Sequence, residues 1–350
     1  MPRLKKLVPA PEGAGAGQAP VPHTRRAGPG ARIHDLLHAN STLGPALVLV
    51  LAVLVFSLYA DRFLEPANLS LIVQQVMVVG TLGIAQTIII LTAGIDLSVG
   101  AIMVLSSIVM AKLSAESGVP GLLALLLGFA VGTACGLTNG LLVTRFRLPP
   151  FIVTLGTLSV FGALNLWYSQ SETIRGTDMS SLLLWTGETF TIGDTRIAYG
   201  SLLMLALFGV MAYALSSTAW GRHVYATGDD AEAARLSGVR TSRVLLSVYV
   251  IAGLICAVAA WVLIGRIASA SPQAGGSANL DSITAVVIGG TSLFGGRGRV
   301  IGTLFGALIV GVLRNGLTLS GVDVLWQDFT VGVLVIVAVA IDQWIRKVRA

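Results

Sequence analysis

Residues 245–265 read LLSVYVIAGLICAVAAWVLIG, a run without a charged side chain. A helix needs about 20 predominantly apolar residues to cross the hydrocarbon core of a bilayer, so this run predicts a membrane-spanning helix. Similar stretches along the chain predict about ten spans. They cover residues 44–60, 71–92, 97–114, 120–143, 151–168, 199–217, 245–265, 281–293, 301–320 and 327–345. The stretch over 281–293 is too short to cross alone, and we expect a half-helix or re-entrant segment buried among the others.

The composition excludes an ordinary soluble protein. Of the 350 residues 54% are hydrophobic and only 11% are charged, with a mean hydropathy of +0.83, whereas soluble domains carry about 25% charged residues. The net charge of +6 would suit a nucleic-acid partner. The basic residues, however, lie mostly at the ends of predicted helices rather than along one binding face. The predicted fold class is therefore an all-α polytopic protein in a lipid bilayer, with no nucleic-acid partner.

The distribution of basic residues predicts the orientation of the spans. Cytoplasmic loops of membrane proteins carry an excess of Lys and Arg. With ten spans and a cytoplasmic N-terminus, most of the 23 Lys and Arg residues fall on the cytoplasmic side. They lie in the N-terminal tail and near residues 144–150, 218–244, 294–300 and 346–350. Both termini are therefore predicted to be cytoplasmic.

Three regions follow from this arrangement. Residues 1–43 are basic and rich in Pro, Gly and Ala, a composition that cannot bury enough apolar surface to fold. We therefore expect them to form a disordered cytoplasmic tail. Residues 44–345 form the predicted transmembrane domain, and residues 346–350 form a second basic cytoplasmic tail.

Sequence motifs for catalysis are missing from the chain. None of the four lysines follows a glycine as the phosphate-binding pattern GxxxxGK[ST] requires, so any ATP must be hydrolysed by another chain. Neither a GxSxG turn nor an HExxH pair occurs. The four histidines lack the spacing of metal ligands. We predict no catalytic residue, no metal site and no cofactor bound by this chain.

Charged and polar residues inside apolar spans are candidates for function, because placing them in lipid is costly. Arg314 lies within the ninth span, and its role is open. Asp96 and Asp281 lie near span ends, where we expect them to cap helix N-termini. Neutral amide side chains line up as a possible path for an uncharged polyol. These are Gln74, Gln75, Gln86, Asn139, Asn165 and Asn315. Hydrogen bonding between helices explains each of them equally well.

Two glycine series predict close helix contacts. Gly128, Gly132, Gly136 and Gly140 recur every four residues and share one face of the fourth span. A neighbouring helix can approach this face closely, which favours static packing. A sliding or dimer surface is the alternative. The second series, Gly298, Gly302 and Gly306, leads into the ninth span.

The segment 218–244 contains a predicted short helix. Asp229 and Asp230 can cap a helix with the body AEAARLS, which stops at Gly238. The loop would then present a rigid amphipathic projection. Most such projections are simply solvated loops.

Four segments together resemble one family of transport proteins. They are TAGIDLSVGAIMVLSS (92–107), NGLLVTRFRLPPFIVTLGT (139–157), GRHVYATGDDAEAARLSGV (221–239) and VVIGGTSLFGGRGRVIGTLFGALIVGVLRNGL (286–317). In this order they resemble the permease subunits of bacterial ATP-binding-cassette (ABC) importers for monosaccharides, the ribose, xylose, arabinose and galactose group. The first segment resembles the GGIDLSVG signature of that family, with Ala93 in place of the first glycine. The signature residues here are Gly94, Asp96, Leu97, Ser98 and Gly100.

The resemblance implies an inner-membrane homodimer that imports a monosaccharide. It further implies a separate cytoplasmic ATPase that binds the ATP, and a periplasmic sugar-binding protein. The projection in 218–244 resembles the coupling helix that docks on the ATPase, through Asp229, Glu232, Ala233, Ala234 and Gly238. The family often has Asn at the position of Asp229. The main alternative is an ion-coupled secondary transporter of a small polar solute, which would need intramembrane acids or broken-helix ion sites. A membrane scaffold is a further alternative.

Overall fold

A computed structural model describes residues 42–193 and 195–349. The predicted N-terminal tail lies almost wholly outside these residues. The described helices are α1 (Leu43–Tyr59), α2 (Pro66–Leu91), α3 (Val99–Ala115), α4 (Gly121–Thr144), α5 (Pro150–Ser169), α6 (Ser181–Leu184), α7 (Tyr199–Ser217), α8 (Ala219–Asp229), α9 (Ala231–Leu236), α10 (Thr241–Ile267), α11 (Ala278–Ile288), α12 (Val300–Leu319) and α13 (Val324–Arg349). Strand β1 (Ile174–Arg175) pairs antiparallel with β4 (Ser269–Ala270), and β2 (Thr189–Ile192) pairs with β3 (Thr195–Ala198).

Six of the described helices are long and apolar enough to cross a membrane, judged by length and composition: α2, α4, α5, α7, α10 and α12. Shorter apolar helices accompany them: α1, α3, α11 and the segment Val324–Ala340 of α13. The prediction of an all-α polytopic membrane protein is thereby confirmed. The predicted C-terminal tail continues α13, which is helical to Arg349.

The centre of the bundle is formed by α2 and α10. In their most apolar windows 78% of α2 and 67% of α10 is buried, against 28% of α5. Helix α10 packs on α2, α3 and α4, and α2 also packs on α7, α11 and α12. Large side chains such as Leu82, Ile88 and Tyr249 are almost fully buried there. Helices α4, α5 and α7 are instead buried over only about a third of their most apolar windows.

The glycine face of α4 packs directly on α10. A Cβ atom added at Gly132 would lie 2.6 Å from the carbonyl oxygen of Gly253, and one at Gly136 would lie 3.0 Å from the Cα atom of Gly253. Real Cβ atoms need more room than this, so only glycine permits the contact. The described structure therefore gives this face the packing role rather than a free surface.

The short eighth span is confirmed as a half-helix. Helix α11 ends at Ile288 instead of residue 293, and its 11 residues are only about 16 Å long. It lies against α12 as an antiparallel hairpin. A Cβ atom added at Gly289 would lie 2.5 Å from the carbonyl oxygen of Gly302, so these two glycines set the close approach.

The structure differs from the sequence expectations in segment 218–244 and at Asp281. The segment 218–244 is more helical than expected, because the eleven residues of α8 precede the predicted short helix α9. Asp281 does not cap α11, which begins at Ala278 with Ser277 at the cap position. Because the helix begins three residues earlier, Asp281 lies in its first turn, where it pairs with Arg314 on α12.

Candidate functional site

A polar cavity of about 340 Å³ lies between α2, α10, α11, α12 and the start of α13. Its apolar walls include Val79, Leu263 and Val310. Its polar lining comes from residues that are scattered along the chain. These are Gln75, Arg266, Ser277, Asp281, Arg314, Thr318 and Gln327. The cavity therefore offers hydrogen-bond donors and acceptors inside an otherwise apolar bundle.

An ion-pair network around Arg314 lines this cavity. The guanidinium donates to the carboxylate of Asp281 at 2.8 Å and lies 3.0 Å from that of Asp328. The side chain of Asp281 is 7% exposed and that of Arg314 is 24% exposed. The same network lines a second cavity of about 500 Å³, which continues between α11 and α13. Arg314, whose role the sequence left open, thus stands between two cavities with its charge compensated.

Among the predicted path residues, Gln75 lines the polar cavity. The other residues make contacts elsewhere. Gln74 donates to Ser70 at 3.0 Å. Asn165 donates to the carbonyl of Pro272 at 3.1 Å.

Two more of the predicted path residues are buried in the bundle, and one of them joins two helices. Asn315 and Asn68 exchange reciprocal amide hydrogen bonds between α12 and α2, at 2.8 and 3.0 Å. Gln86 is fully buried in α2, and its amide has no hydrogen-bond partner among the described residues. Hydrogen bonding between helices, the alternative that the sequence left open, accounts for Asn315 in this structure, whereas Asn165 joins α5 to the loop before α11.

The signature residues form a buried polar turn between α2 and α3. The carboxylate of Asp96 accepts from both the backbone N–H and the hydroxyl of Ser98, each at 2.6 Å. Asn139 on α4 donates to the Ser98 hydroxyl at 2.8 Å and to Asp96 at 3.4 Å. Asp96 thus accepts hydrogen bonds from Ser98, the cap residue of α3, without being the cap itself. Asn139 connects the turn to α4.

The turn is also fastened to α11. Asn279 accepts from the backbone N–H of Gly100 and donates to the carbonyl of Leu97, both at 2.6 Å. A Cβ atom added at Gly94 would lie 3.3 Å from the hydroxyl of Tyr249. Sequence reasoning missed Asn279, which stands just before the predicted eighth span. The only signal was an amide residue beside a short apolar stretch.

Helix α9 forms the predicted surface projection. The carboxylate of Asp230 accepts from the backbone N–H groups of Glu232 and Ala233, both at 2.9 Å, which confirms it as the cap. The helix stops before Gly238, whose φ is +89°. Glu232 pairs with Arg235 at 2.6 Å, and this hydrogen bond and charge lower the pKa of Glu232. Leu236 is 78% exposed.

The base of this projection touches the central helices. Gly296, in the turn between α11 and α12, donates to the carbonyl of Leu91 at the end of α2 at 3.0 Å. A Cβ atom added at Gly228 would lie 2.8 Å from the nitrogen of Gly296. Asp229 lies against Gly296 as well. The residues before α9 therefore contact both the end of α2 and the turn of the α11–α12 hairpin.

These features define a class of protein: a helical, multi-pass membrane transporter with a polar cavity between its spans and a rigid projection at one end. Residues 68–339 match a family described as branched-chain amino acid transport system / permease component. Because the match covers most of the chain, this protein belongs to that family of permeases. It is a multi-pass protein of the bacterial inner membrane.

Curated relatives are sugar import permeases. The chain is 53% identical to the fructose import permease protein FrcC of Rhizobium meliloti, over 91% of this chain and 90% of the relative. It is 42% identical to the ribose import permease protein RbsC of Bacillus subtilis, over 86% of this chain and 92% of the relative. It is 35% identical to the D-allose transport system permease protein AlsC of Escherichia coli, over 87% and 92%.

Proposed function

We propose that this permease carries a monosaccharide into the cytoplasm as the membrane subunit of an ABC importer. Fructose is the first sugar to test, because the fructose permease is 53% identical to this chain over 323 aligned residues. The family description names branched-chain amino acids, whereas the three relatives compared above import sugars. The sugar assignment therefore rests on these relatives rather than on the family as a whole.

The polar cavity beside Arg314 is the observation that supports the proposal best. A sugar presents many hydroxyl groups and no charge. Gln75, Ser277 and Thr318 can exchange hydrogen bonds with such hydroxyls. Arg314 and Asp281 compensate each other, so this pair does not require a charged solute, while Arg266 in the same lining can donate hydrogen bonds to sugar hydroxyls. Of the other predicted path residues, Asn139, Asn165 and Asn315 would support the path by joining segments of the bundle, and Gln74 and Gln86 would lie beside it in α2.

Helix α9 supports coupling to a separate ATPase. A capped helix that exposes Glu232, Ala233 and Leu236 is suited to a cleft on a cytoplasmic partner. We propose Asp229, Glu232, Ala233, Ala234 and Gly238 as this coupling surface, of which Ala234 faces inward and holds the helix in place. ATP shifts the transport cycle only through its different affinity for two states of the partner. The base of α9 passes that change to α2 and the α11–α12 hairpin.

The proposal includes the assembly and its orientation. Ten spans would place both termini and α9 in the cytoplasm, with residues 170–198 on the periplasmic side. The basic regions 1–43 and 346–350 would be cytoplasmic, on either side of a transmembrane domain over 44–345. A second copy of the chain, a cytoplasmic ATPase and a periplasmic sugar-binding protein would complete the importer. The chain itself would carry no catalytic step.

Uptake into proteoliposomes tests the function. Vesicles that hold the permease with its ATPase, and that are supplied with the binding protein, should accumulate labelled fructose only when ATP is present. Glu232→Arg should abolish this uptake, because it reverses the charge of the coupling surface. Glu172→Arg, an exposed charge reversal at the far end of the bundle, serves as the matched control and should transport normally.

Three outcomes would contradict parts of the proposal. Accumulation of sugar on an ion gradient without the ATPase would identify a secondary transporter. Accumulation of leucine in place of any sugar would remove the substrate assignment. Normal uptake by Glu232→Arg would remove α9 from the coupling surface.

A further inference from the structure

A basic groove of about 810 Å³ lies where α7 ends and α12 begins. We call it the arginine groove. It is lined by Ala212, Leu215, Ser216, Arg222, Tyr225, Gly296, Arg297, Gly298, Arg299, Val300 and Ile301. It is separate from the polar cavity beside Arg314, with which it shares no lining residue. The coupling route proposed above uses one of its lining residues, Gly296, and none of its arginines.

The charge of the arginine groove is uncompensated. Arg222 on α8, and Arg297 and Arg299 in the turn before α12, are exposed and line the same groove. Among the described residues none of these three guanidinium groups has an ion-pair or hydrogen-bond partner, and no acidic residue lines the groove. The N-terminus of α12 opens beside them, and its unpaired N–H groups add further positive potential.

Specific contacts hold the two sides of the arginine groove together. The Tyr225 hydroxyl donates to the carbonyl of Gly298 at 2.8 Å, which ties α8 to the turn that carries Arg297 and Arg299. Gly298 has a φ of +143°, a backbone conformation that side chains rarely permit. The turn therefore holds the arginines at a fixed distance from α8.

The walls of the arginine groove place it at the membrane surface. Leu215 and Ser216 belong to the last turn of α7, and Val300 and Ile301 to the first turn of α12. Ile301 is 47% exposed. Both helices are long and apolar enough to cross the bilayer, so their ends lie at the depth of lipid head groups. The groove thus combines apolar walls toward the hydrocarbon with cations at the interface.

We propose that the arginine groove binds an anionic phospholipid. Its phosphate would accept hydrogen bonds from the arginines, which bind phosphate in a forked geometry, and the start of its acyl chains would lie against Ala212 and Ile301. Basic pockets between spans at the membrane surface suit such head groups. Residues 1–43 carry Arg3, Lys5, Lys6, Arg25, Arg26 and Arg32, so the tail of this chain is a poor electrostatic match for the groove.

Lipid binding can be measured on the purified full chain in a neutral detergent, without the ATPase. Native mass spectrometry should show retained phosphatidylglycerol in preference to phosphatidylcholine, and added phosphatidylglycerol should raise the melting temperature. Each arginine near an anionic head group contributes about a factor of 5. The variant Arg222→Gln/Arg297→Gln/Arg299→Gln should therefore bind phosphatidylglycerol roughly 100-fold more weakly.

A matched control separates the groove from general charge. The variant Arg145→Gln/Arg147→Gln/Arg243→Gln removes three exposed arginines outside the groove and should bind like the unaltered chain. If the groove variant is recovered poorly, the single variants Arg222→Gln and Arg299→Gln should each weaken binding about fivefold. The variant Arg299→Lys, which keeps the charge but loses the forked geometry, should weaken binding less than Arg299→Gln does.

Several results would contradict the proposal that the arginine groove binds a lipid. One is unchanged phosphatidylglycerol binding by the groove variant. Another is equal stabilisation by inorganic phosphate, which would indicate a free-anion site instead of a lipid site. A third is a groove variant that binds lipid normally but fails to bind the ATPase, because the arginines would then belong to a protein interface. Each result is distinct from a failure of sugar transport.

Discussion

Arg314 forms ion pairs that connect three helices. Its guanidinium joins α12 to Asp281 on α11 and to Asp328 on α13. Burying charges is tolerated when they are paired, and removing one partner leaves the other uncompensated. The network therefore holds three helices together beside the polar cavity, and its opening would change both cavities at once.

Substitution of Arg314 should destabilise the bundle and block transport. Removing one partner of a buried pair costs about 3 kcal/mol at the lower end of the measured range, which suits a side chain that is 24% exposed. We expect Arg314→Gln to lower the melting temperature in detergent and to reduce sugar uptake. Asp281→Asn added to it should recover part of the stability, because the amide carries no charge.

The exposed pair of Arg62 and Glu65 provides the control for that experiment. Their charged groups are 3.6 Å apart and the arginine side chain is 80% exposed. Exposed pairs contribute at most about 1 kcal/mol, so Arg62→Gln should melt close to the unaltered protein. A melting temperature for Arg314→Gln that equals that of Arg62→Gln would show that the network does not hold the helices.

Ala93 occupies a position that suits glycine. Its φ is +60°, and a left-handed backbone costs a residue with a side chain roughly 1–2 kcal/mol. Glycine avoids this cost but loses more conformational freedom on folding. We expect Ala93→Gly to stabilise the protein by about 0.5 kcal/mol, measured as a rise in melting temperature.

Ala101 gives the opposite expectation and so serves as the matched control. It lies in the first turn of helix α3, where glycine is less favourable than alanine by at most about 1 kcal/mol. Ala101→Gly should therefore lower the melting temperature. If Ala93→Gly lowers it as well, the strain at this position is smaller than the entropy that glycine loses.

At the level of single residues, contacts between residues close in sequence could be predicted, whereas pairs of residues far apart in sequence could not. The cap formed by Asp230 and the stop at Gly238 followed from the sequence because each depends on neighbours within a few residues. The partner of Asp281 did not. Arg314 is brought to it by the register of α11 against α12, which glycine contacts set and which no local pattern reveals.

Among the elements, the contact between α4 and α10 depends most on residue size. A Cβ atom at Gly136 would press on the backbone of Tyr249 and Gly253. Overpacking of a tight contact costs typically 1–3 kcal/mol. We expect Gly136→Ala to destabilise the protein by about 2 kcal/mol, measured by thermal unfolding in detergent.

Helix α5 offers a glycine without such a contact. A Cβ atom at Gly156 would meet nothing within 4 Å, and alanine is about 1 kcal/mol more favourable than glycine in a helix. Gly156→Ala should therefore be neutral or slightly stabilising. Equal losses for both substitutions would show that helix packing at Gly136 is not the cause.

The spans were predictable as elements because their apolar runs are long compared with their loops. The bounds of α4, α7 and α10 agree with the predicted spans to within a few residues. Helix α8 was missed because it is polar and lies outside the apolar pattern, where it is tied to α10 by a 2.8 Å hydrogen bond from Trp220 to Ser247. Its helical state depends on tertiary contacts that the sequence does not display.

For the whole molecule, the proposed orientation can be tested by labelling. The two native cysteines, Cys135 and Cys256, are buried, so an impermeant maleimide should leave them unmodified. A cysteine introduced at Ser237, beside α9, should react only in inverted vesicles. One introduced at Thr177 should react in intact cells whose outer membrane is permeabilised. Both sites are exposed, and reaction of the Ser237 cysteine from outside would reverse the proposed topology.

The central position of α10 has a consequence for how the protein is made. Its main neighbours, α2, α3 and α4, are all encoded upstream of it. When α10 leaves the ribosome, the helices that will surround it have already been synthesised, while α11 and α12 have not. The bilayer is thus only a temporary environment for this very apolar helix, whose apolar character serves entry into the membrane as much as contact with its final neighbours.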